Sequence, residues 1–224
     1  MMKTFLAGVV STLLLATAAQ AAEPIKIALI DPLSGPMASA GQPAYEHLKF
    51  AAERINANGG MNGHPVEIVG LDNKLSPQES LVQLQKAMDN GVDFITQGNG
   101  SSVASALIAG IEKHNRRNPG DERLFLNYAA VDPAFTNERC SYWHFRFDAN
   151  ADMKMNALTD YIADNKDIEK VYLINQDYSF GQAVSKAARE MLKEKRPDIE
   201  IVGNDFHPLA KVKDFTPYVS KIQS

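Results

Sequence analysis

The sequence predicts an α/β protein with parallel strands flanked by helices, arranged as two lobes of which the second is incomplete. Three observations carry this reading. From Ile25 onward, short apolar runs alternate with longer segments of helical periodicity. Glycine, proline and Asn-Gly breaks punctuate the alternation. The rhythm then restarts after Phe147, and the part beyond it supplies only about two strands, fewer than an open sheet usually needs. The boundary is placed near Asp148, giving one lobe over 22–147 and a partial lobe over 148–224.

The first 21 residues stand apart from this pattern. A short basic start (Met1-Met2-Lys3), an apolar run from Phe5 to Ala19 and the small-x-small triplet Ala19-Gln20-Ala21 read as a secretory signal peptide over 1–21. The run is too short for a spanning helix. Removing Lys3 with it takes the formal net charge from −4 to −5. An acidic chain without a basic face makes nucleic acid an unsuitable partner. With 45% apolar and 22% charged residues, the mature chain is expected to be soluble and extracytoplasmic. Cys140 is the only cysteine. It is expected either to be buried and inert or to pair outside this sequence.

In chain order, Ile25–Ile30 reads as a buried strand and Asp31–Gly41 as a loop broken by glycine and proline. A helix starting at Pro43 places Tyr45, Leu48, Ala52 and Ile55 on one face and stops at Asn58-Gly59-Gly60. Val66–Leu71 is the second strand. Ser76-Pro77-Gln78-Glu79 is a capping box opening a helix with Leu81, Leu84 and Met88 on one face. A third strand over 93–96 leads to a helix from Ser102 to about His114. Leu124–Tyr128 and Trp143–Phe147 are the next strands. In the second part, Met155, Leu158 and Ile162 mark a helix and Val171–Ile174 a strand. The loop Asn175–Gly181 opens a helix carrying Val184, Ala187 and Met191. Ile199–Val202 is another strand, and Asp214 caps a final helix through Ile222.

The stretch with the most specific chemistry is Gln97-Gly98-Asn99-Gly100-Ser101-Ser102. Glycines at a strand end allow a sharp turn and close backbone approach. The helix that follows aims free N–H groups and its positive dipole end into the same space. Gly100, Ser101 and Ser102 thus form a cradle for a carboxylate or similar small anion. In a parallel sheet, ligands bind beyond the carboxyl ends of the strands. The loops after Ile30, Thr96 and Tyr128 lie at such ends and can share one crevice. Capping alone would also explain serines at a helix start, and Ser34 serves equally as a residue that shapes its turn.

Four segments together resemble the periplasmic leucine/isoleucine/valine-binding proteins, the type I solute receptors of ABC importers. They are KIALIDPLSGP (Lys26–Pro36), INANGGMNG (Ile55–Gly63), SPQE (Ser76–Glu79) and DYSFG (Asp177–Gly181). The resemblance runs from Pro24 to Ser224. It implies two Rossmann-like lobes joined by a hinge, closing on a small-molecule solute that a membrane permease then accepts from a soluble, monomeric, periplasmic protein without a cofactor. By position, Ser101 matches the residue that binds the ligand carboxylate, and Ala129 the carbonyl that meets the ligand amine. Phe180, with Tyr178 beside it, matches an aromatic that packs on the ligand. A threonine of the amino-acid-binding members is replaced by Val131. The acidic partner of the ligand ammonium falls later in the family than Ser224, so the sequence looks like the N-terminal part of a longer chain. Losing the threonine while keeping the serines favours an aromatic or other organic acid over a conventional amino acid.

Two alternatives share the fold or the compartment: a ligand-sensing ectodomain and a secreted enzyme. The enzyme reading lacks its chemistry. Gly98-Asn99-Gly100 begins like a dinucleotide fingerprint, but Val103 stands where a third glycine belongs and no acid ends the next strand. There is no G-x-S-x-G elbow. Asp31, Asp132 and Asp177 sit on separate loops, and His47, His64, His114, His144 and His207 lack metal-ligand spacing. The sequence therefore predicts a non-enzyme with no metal.

Overall fold

The computed structural model describes residues 22–222; the expected signal peptide over 1–21 lies outside them. Five strands form one sheet: β1 (Ile25–Asp31), β2 (Val66–Asp72), β3 (Phe94–Gln97), β4 (Leu124–Asn127) and β5 (His144–Arg146). Their order is β2-β1-β3-β4-β5, and every neighbouring pair is parallel. The chain moves outward from β1 to β2, then crosses back to place β3 on the other side of β1. That reversal makes the carboxyl ends of β1 and β3 the switch point where ligands bind in such sheets.

Helices α1 (Ala38–Ala57), α2 (Pro77–Asp89) and α3 (Ser101–Arg117) make the crossovers. In α3, Val103, Ala104, Leu107, Ile108 and Ile111 recur at helical spacing and are buried. They pack with Leu84 and Ala87 of α2 and with Ala28, Ile30, Ile95 and Phe125 of the sheet in one continuous core. Each large side chain buried there contributes roughly 1.5–3 kcal/mol relative to exposure.

The second part holds α4 (Ala151–Asp164), β6 (Lys170–Gln176), α5 (Ser179–Lys195), β7 (Glu200–His207) and α6 (Thr216–Ile222). β6 and β7 pair in parallel as a two-stranded sheet. Its core is small: Met155, Ala187 and Ala188 are buried, with Leu173, Val184 and Met191 packed against them. Ile174 and Val202 stay partly exposed. Buried Arg196 ties the loops together by donating to the carbonyls of Ile162, Asn165 and Ile168 at 2.9–3.0 Å and to Asp198 at 2.7 Å.

Several boundaries differ from the sequence expectation. α1 begins at Ala38, preceded by a 3-10 turn over Gly35–Met37, and Pro43 lies inside the helix. As the sixth residue of the helix it lies past the first turn, so its missing N–H costs the rung to the Ser39 carbonyl. Gly41, expected in the loop, is buried in α1; a Cβ there would lie 2.1 Å from the Pro32 carbonyl oxygen. The capping box forms only half of its pair. Ser76 Oγ accepts the Glu79 N–H at 3.2 Å, but the Ser76 N–H goes to the Asn73 carbonyl, and Glu79 accepts from Gln83 instead. α5 starts at Ser179, inside the expected loop. β7 continues to His207 although Gly203-Asn204-Asp205 breaks its apolar pattern. Leu158 and Leu81, expected on buried helix faces, are about half exposed. Cys140 is exposed, which removes the buried reading of this residue.

Candidate functional site

The loops after β1, β3 and β4 meet at one end of the sheet, facing the β6–α5 turn. Between them lies a cavity of about 270 Å³. Its first-lobe wall includes Gly98, Asn99, Gly100 and Ser101 from the β3–α3 turn, and Ala129, Ala130 and Val131 from the loop after β4. Across from them stand Gln176, Tyr178, Phe180 and Leu209, with Asp148 and Lys154 at the junction of the two parts.

The β3–α3 turn is built for anion contact. Gly100 is the N-cap of α3 and sits at φ 95°, a conformation that favours glycine. The first helical hydrogen bond runs from the Ala104 N–H to the Gly100 carbonyl, so the N–H groups of Ser101, Ser102 and Val103 have no partner within the helix. Ser101 is therefore the first helical residue and not the cap that serine at a helix start suggests; no side chain caps α3. Its residue is 2% exposed and its hydroxyl makes no hydrogen bond among the described residues.

Two side chains hold the flanking turns. The Asp31 carboxylate, buried at the end of β1, accepts from the Asn99 N–H and Asn99 Nδ2, both at 3.1 Å, and from the Tyr128 hydroxyl. Burial pushes its pKa above the usual 3.8, against these hydrogen bonds, which pull the other way. Burial, with the Asp31 charge beside it, also raises the Tyr128 phenol. The Tyr128 ring lies over Gly98, where a Cβ would stand 2.3 Å from it. In the other turn, Asn127 Oδ1 accepts the N–H groups of Ala129 and Ala130 at 3.1 and 2.7 Å.

Of the residues expected at the site, Gly100, Ser101, Ala129, Val131, Tyr178 and Phe180 line the cavity together. Ser34 and Ser102 do not line it. Ser34 is exposed and donates to Asp72 Oδ2 at 2.5 Å, which shapes the turn after β1. The Tyr178 and Phe180 rings lie 5.9 Å apart, tilted at 43°. Burial pushes the Tyr178 phenol up to about 12, so it is a neutral donor at physiological pH. The three crevice carboxylates remain separate. Asp31 is held by Tyr128 and Asn99, Asp132 pairs with Arg139 at 2.8 Å, and Asp177 is exposed.

Sequence reasoning missed Asn99, Gln176, Leu209 and the Asp148–Lys154 ion pair, whose N···O distance is 2.5 Å. The pair flanks Asn150, which caps α4 by accepting the Met153 N–H. An acid and a lysine bracketing a capping residue at the lobe boundary was the available signal.

The family model described as periplasmic binding protein matches residues 24–224. The chain belongs to the periplasmic binding protein family. Within it, the Leu/Ile/Val-binding protein homolog 4 of Brucella abortus is 37% identical over 227 residues, covering 100% of this chain and 54% of the relative. The leucine-, isoleucine-, valine-, threonine- and alanine-binding protein of Brucella ovis, solved in a closed conformation, is 36% identical with a TM-score of 0.74. The match covers 90% of this chain and 52% of that one. A solute-binding protein of an ABC transporter from Rhodopseudomonas palustris BisB5, solved with 3,4-dihydroxybenzoic acid, shares the fold at 24% identity and a TM-score of 0.76, over 89% and 51% of the two chains. The chain thus spans about half the length of the relatives it matches. These relatives are binding proteins by name, and the fold described above matches about half of each solved chain. Among the described residues, no helix is long and apolar enough to cross a membrane.

Proposed function

We propose that this chain forms the solute-holding part of an extracytoplasmic receptor that delivers a small carboxylate-bearing molecule to the membrane permease of an ABC importer. One observation carries the reading. An unpartnered, nearly buried Ser101 hydroxyl and the free N–H groups of α3 open onto a cavity of about 270 Å³ between two sets of strand ends. The dipole and N–H groups of α3 favour an anion there. The Tyr178 phenol supplies a neutral donor and Phe180 an apolar wall. Closing the second lobe over the solute is a shift between open and closed populations, stabilised by contacts made only in the closed one. The acid and the base that line the cavity, Asp148 and Lys154, are joined to each other in an ion pair, and we read the site as one of binding.

Two solute classes compete. The Brucella ovis relative, at 36% identity, is named for binding leucine, isoleucine, valine, threonine and alanine, and the Brucella abortus one, at 37%, is named a Leu/Ile/Val-binding protein homolog. Against an amino acid, Val131 gives the cavity no hydroxyl, and the one acid lining it among the described residues, Asp148, is already paired with Lys154. The fold also accommodates an aromatic acid, as the Rhodopseudomonas protein does. We favour an aromatic or other organic acid. Differential scanning of the natural full-length protein against amino acids and aromatic acids tests this: stabilisation by an aromatic acid is expected, and stabilisation by leucine alone overturns the preference. Ser101→Leu should abolish capture with the fold intact; unchanged affinity would reject the site.

A further inference from the structure

Asp31 and Tyr128 do not line the cavity, yet both are tied to residues that do. The Asp31 carboxylate is fully buried and has no ion pair among the described residues. Among the described residues Tyr128 is the one titratable group bonded to it, and Asp72 lies opposite it in register on β2. Burying a charge without a cation is costly, so its retention needs a reason. It gathers three donors at once: the Asn99 N–H, Asn99 Nδ2 and the Tyr128 hydroxyl. Asn99 Nδ2 also reaches the Tyr128 hydroxyl at 3.2 Å. From the other side, Gln97 Nε2 donates to the Asn99 carbonyl at 2.6 Å. The turn that presents Gly100 and Ser101 is therefore fixed on both its N–H and its carbonyl side. Tyr128 itself begins the loop that carries Ala129 to Val131, so its hydroxyl joins the two first-lobe walls of the cavity.

We infer that Asp31 and Tyr128 are positioning residues for solute capture, a buried carboxylate–phenol lock that holds the two ligand-facing loops in register. The inference rests on the site proposed above and adds residues that act through it without touching solute. A neutral amide at 31 has one acceptor oxygen where the carboxylate has two, so it cannot serve all three donors without placing N–H groups against Asn99.

The test uses the natural full-length protein, titrated with L-leucine and with 3,4-dihydroxybenzoate. Tyr128→Phe keeps the ring over Gly98 and removes the hydroxyl. Its Kd for the probe that the parent binds should rise about tenfold, the effect of losing one positioning hydrogen bond. Asp31→Asn should weaken binding similarly and flatten the part of the pH profile in which the parent loses affinity as Asp31 takes up a proton. A simple loss of fold stability would lower affinity without removing that pH dependence. A Kd for Tyr128→Phe within twofold of the parent, or an Asp31→Asn profile parallel to the parent's, overturns the lock. Failure of the underlying site shows separately: a parent that binds neither probe, or a Ser101→Leu variant that binds like the parent, rejects the site and the lock with it.

Discussion

Asn127 donates one amide hydrogen to Nε2 of His144, 3.1 Å away, and the other to the Ala130 carbonyl at 2.8 Å. Its Oδ1 is already taken by the Ala129 and Ala130 N–H groups, so the amide nitrogen must be the donor toward His144. The ring is then neutral, with its proton on Nδ1. Burial, with Arg146 nearby, pushes its pKa down from 6.5 to about 4. The folded state therefore prefers uncharged His144. Its contribution is complete above pH 6.5 and is lost as pH falls through the folded value near 4. The shift corresponds to roughly 3 kcal/mol. Urea unfolding at pH 7 and pH 4.5 should show this slope, and His144→Gln should remove most of it.

Gly98→Ala should destabilise the first lobe by about 1–3 kcal/mol. The added methyl meets the Tyr128 ring, whose tip is anchored to Asp31 and cannot swing away freely. A double-mutant cycle with Tyr128→Ala checks the cause: the cost of Gly98→Ala should largely disappear once the ring is gone.

Arg196→Met should cost about 3 kcal/mol or more. It leaves the part-buried Ile162, Asn165 and Ile168 carbonyls without the donor that buried Arg196 gives them. Denaturant unfolding followed by a probe in the second lobe reads this directly.

Hydrogen exchange of this 224-residue chain should separate the two sheets. Amides of β1 and β3, buried in the five-stranded sheet, should be strongly protected. Those at Val171–Ile174 should exchange orders of magnitude faster, because β6 has one partner strand and few buried side chains behind it. Equal protection in both would contradict this.

The strands of the first sheet were readable because each is a nearly continuous apolar run, as Ile25–Ile30 shows, and α3 because its apolar residues recur at one helical spacing. Glycine chemistry gave the cavity turn for the same local reason. What escaped is non-local or mixed in signal. Gly41 looks like a breaker until the Pro32 carbonyl is placed beside it. β7 loses its apolar alternation at Gly203-Asn204-Asp205, where partners elsewhere absorb the polar groups: Tyr172 and Lys221 bond Asp205, and Asn175 and Ser185 bond Asn204. Asn127 gives no pattern at all, since its four hydrogen bonds are a property of the folded turn.

Asp31 and Tyr128 stand 97 positions apart, and each answers the other's need. Replace the phenol alone and the buried acid keeps only its two Asn99 donors; replace the acid alone and the hydroxyl loses the acceptor of its proton, keeping only Asn99 Nδ2. Such mutual dependence predicts joint inheritance. Homologous chains sorted by whether one position keeps its acid should divide the same way at the other, and changes of solute preference should follow that division.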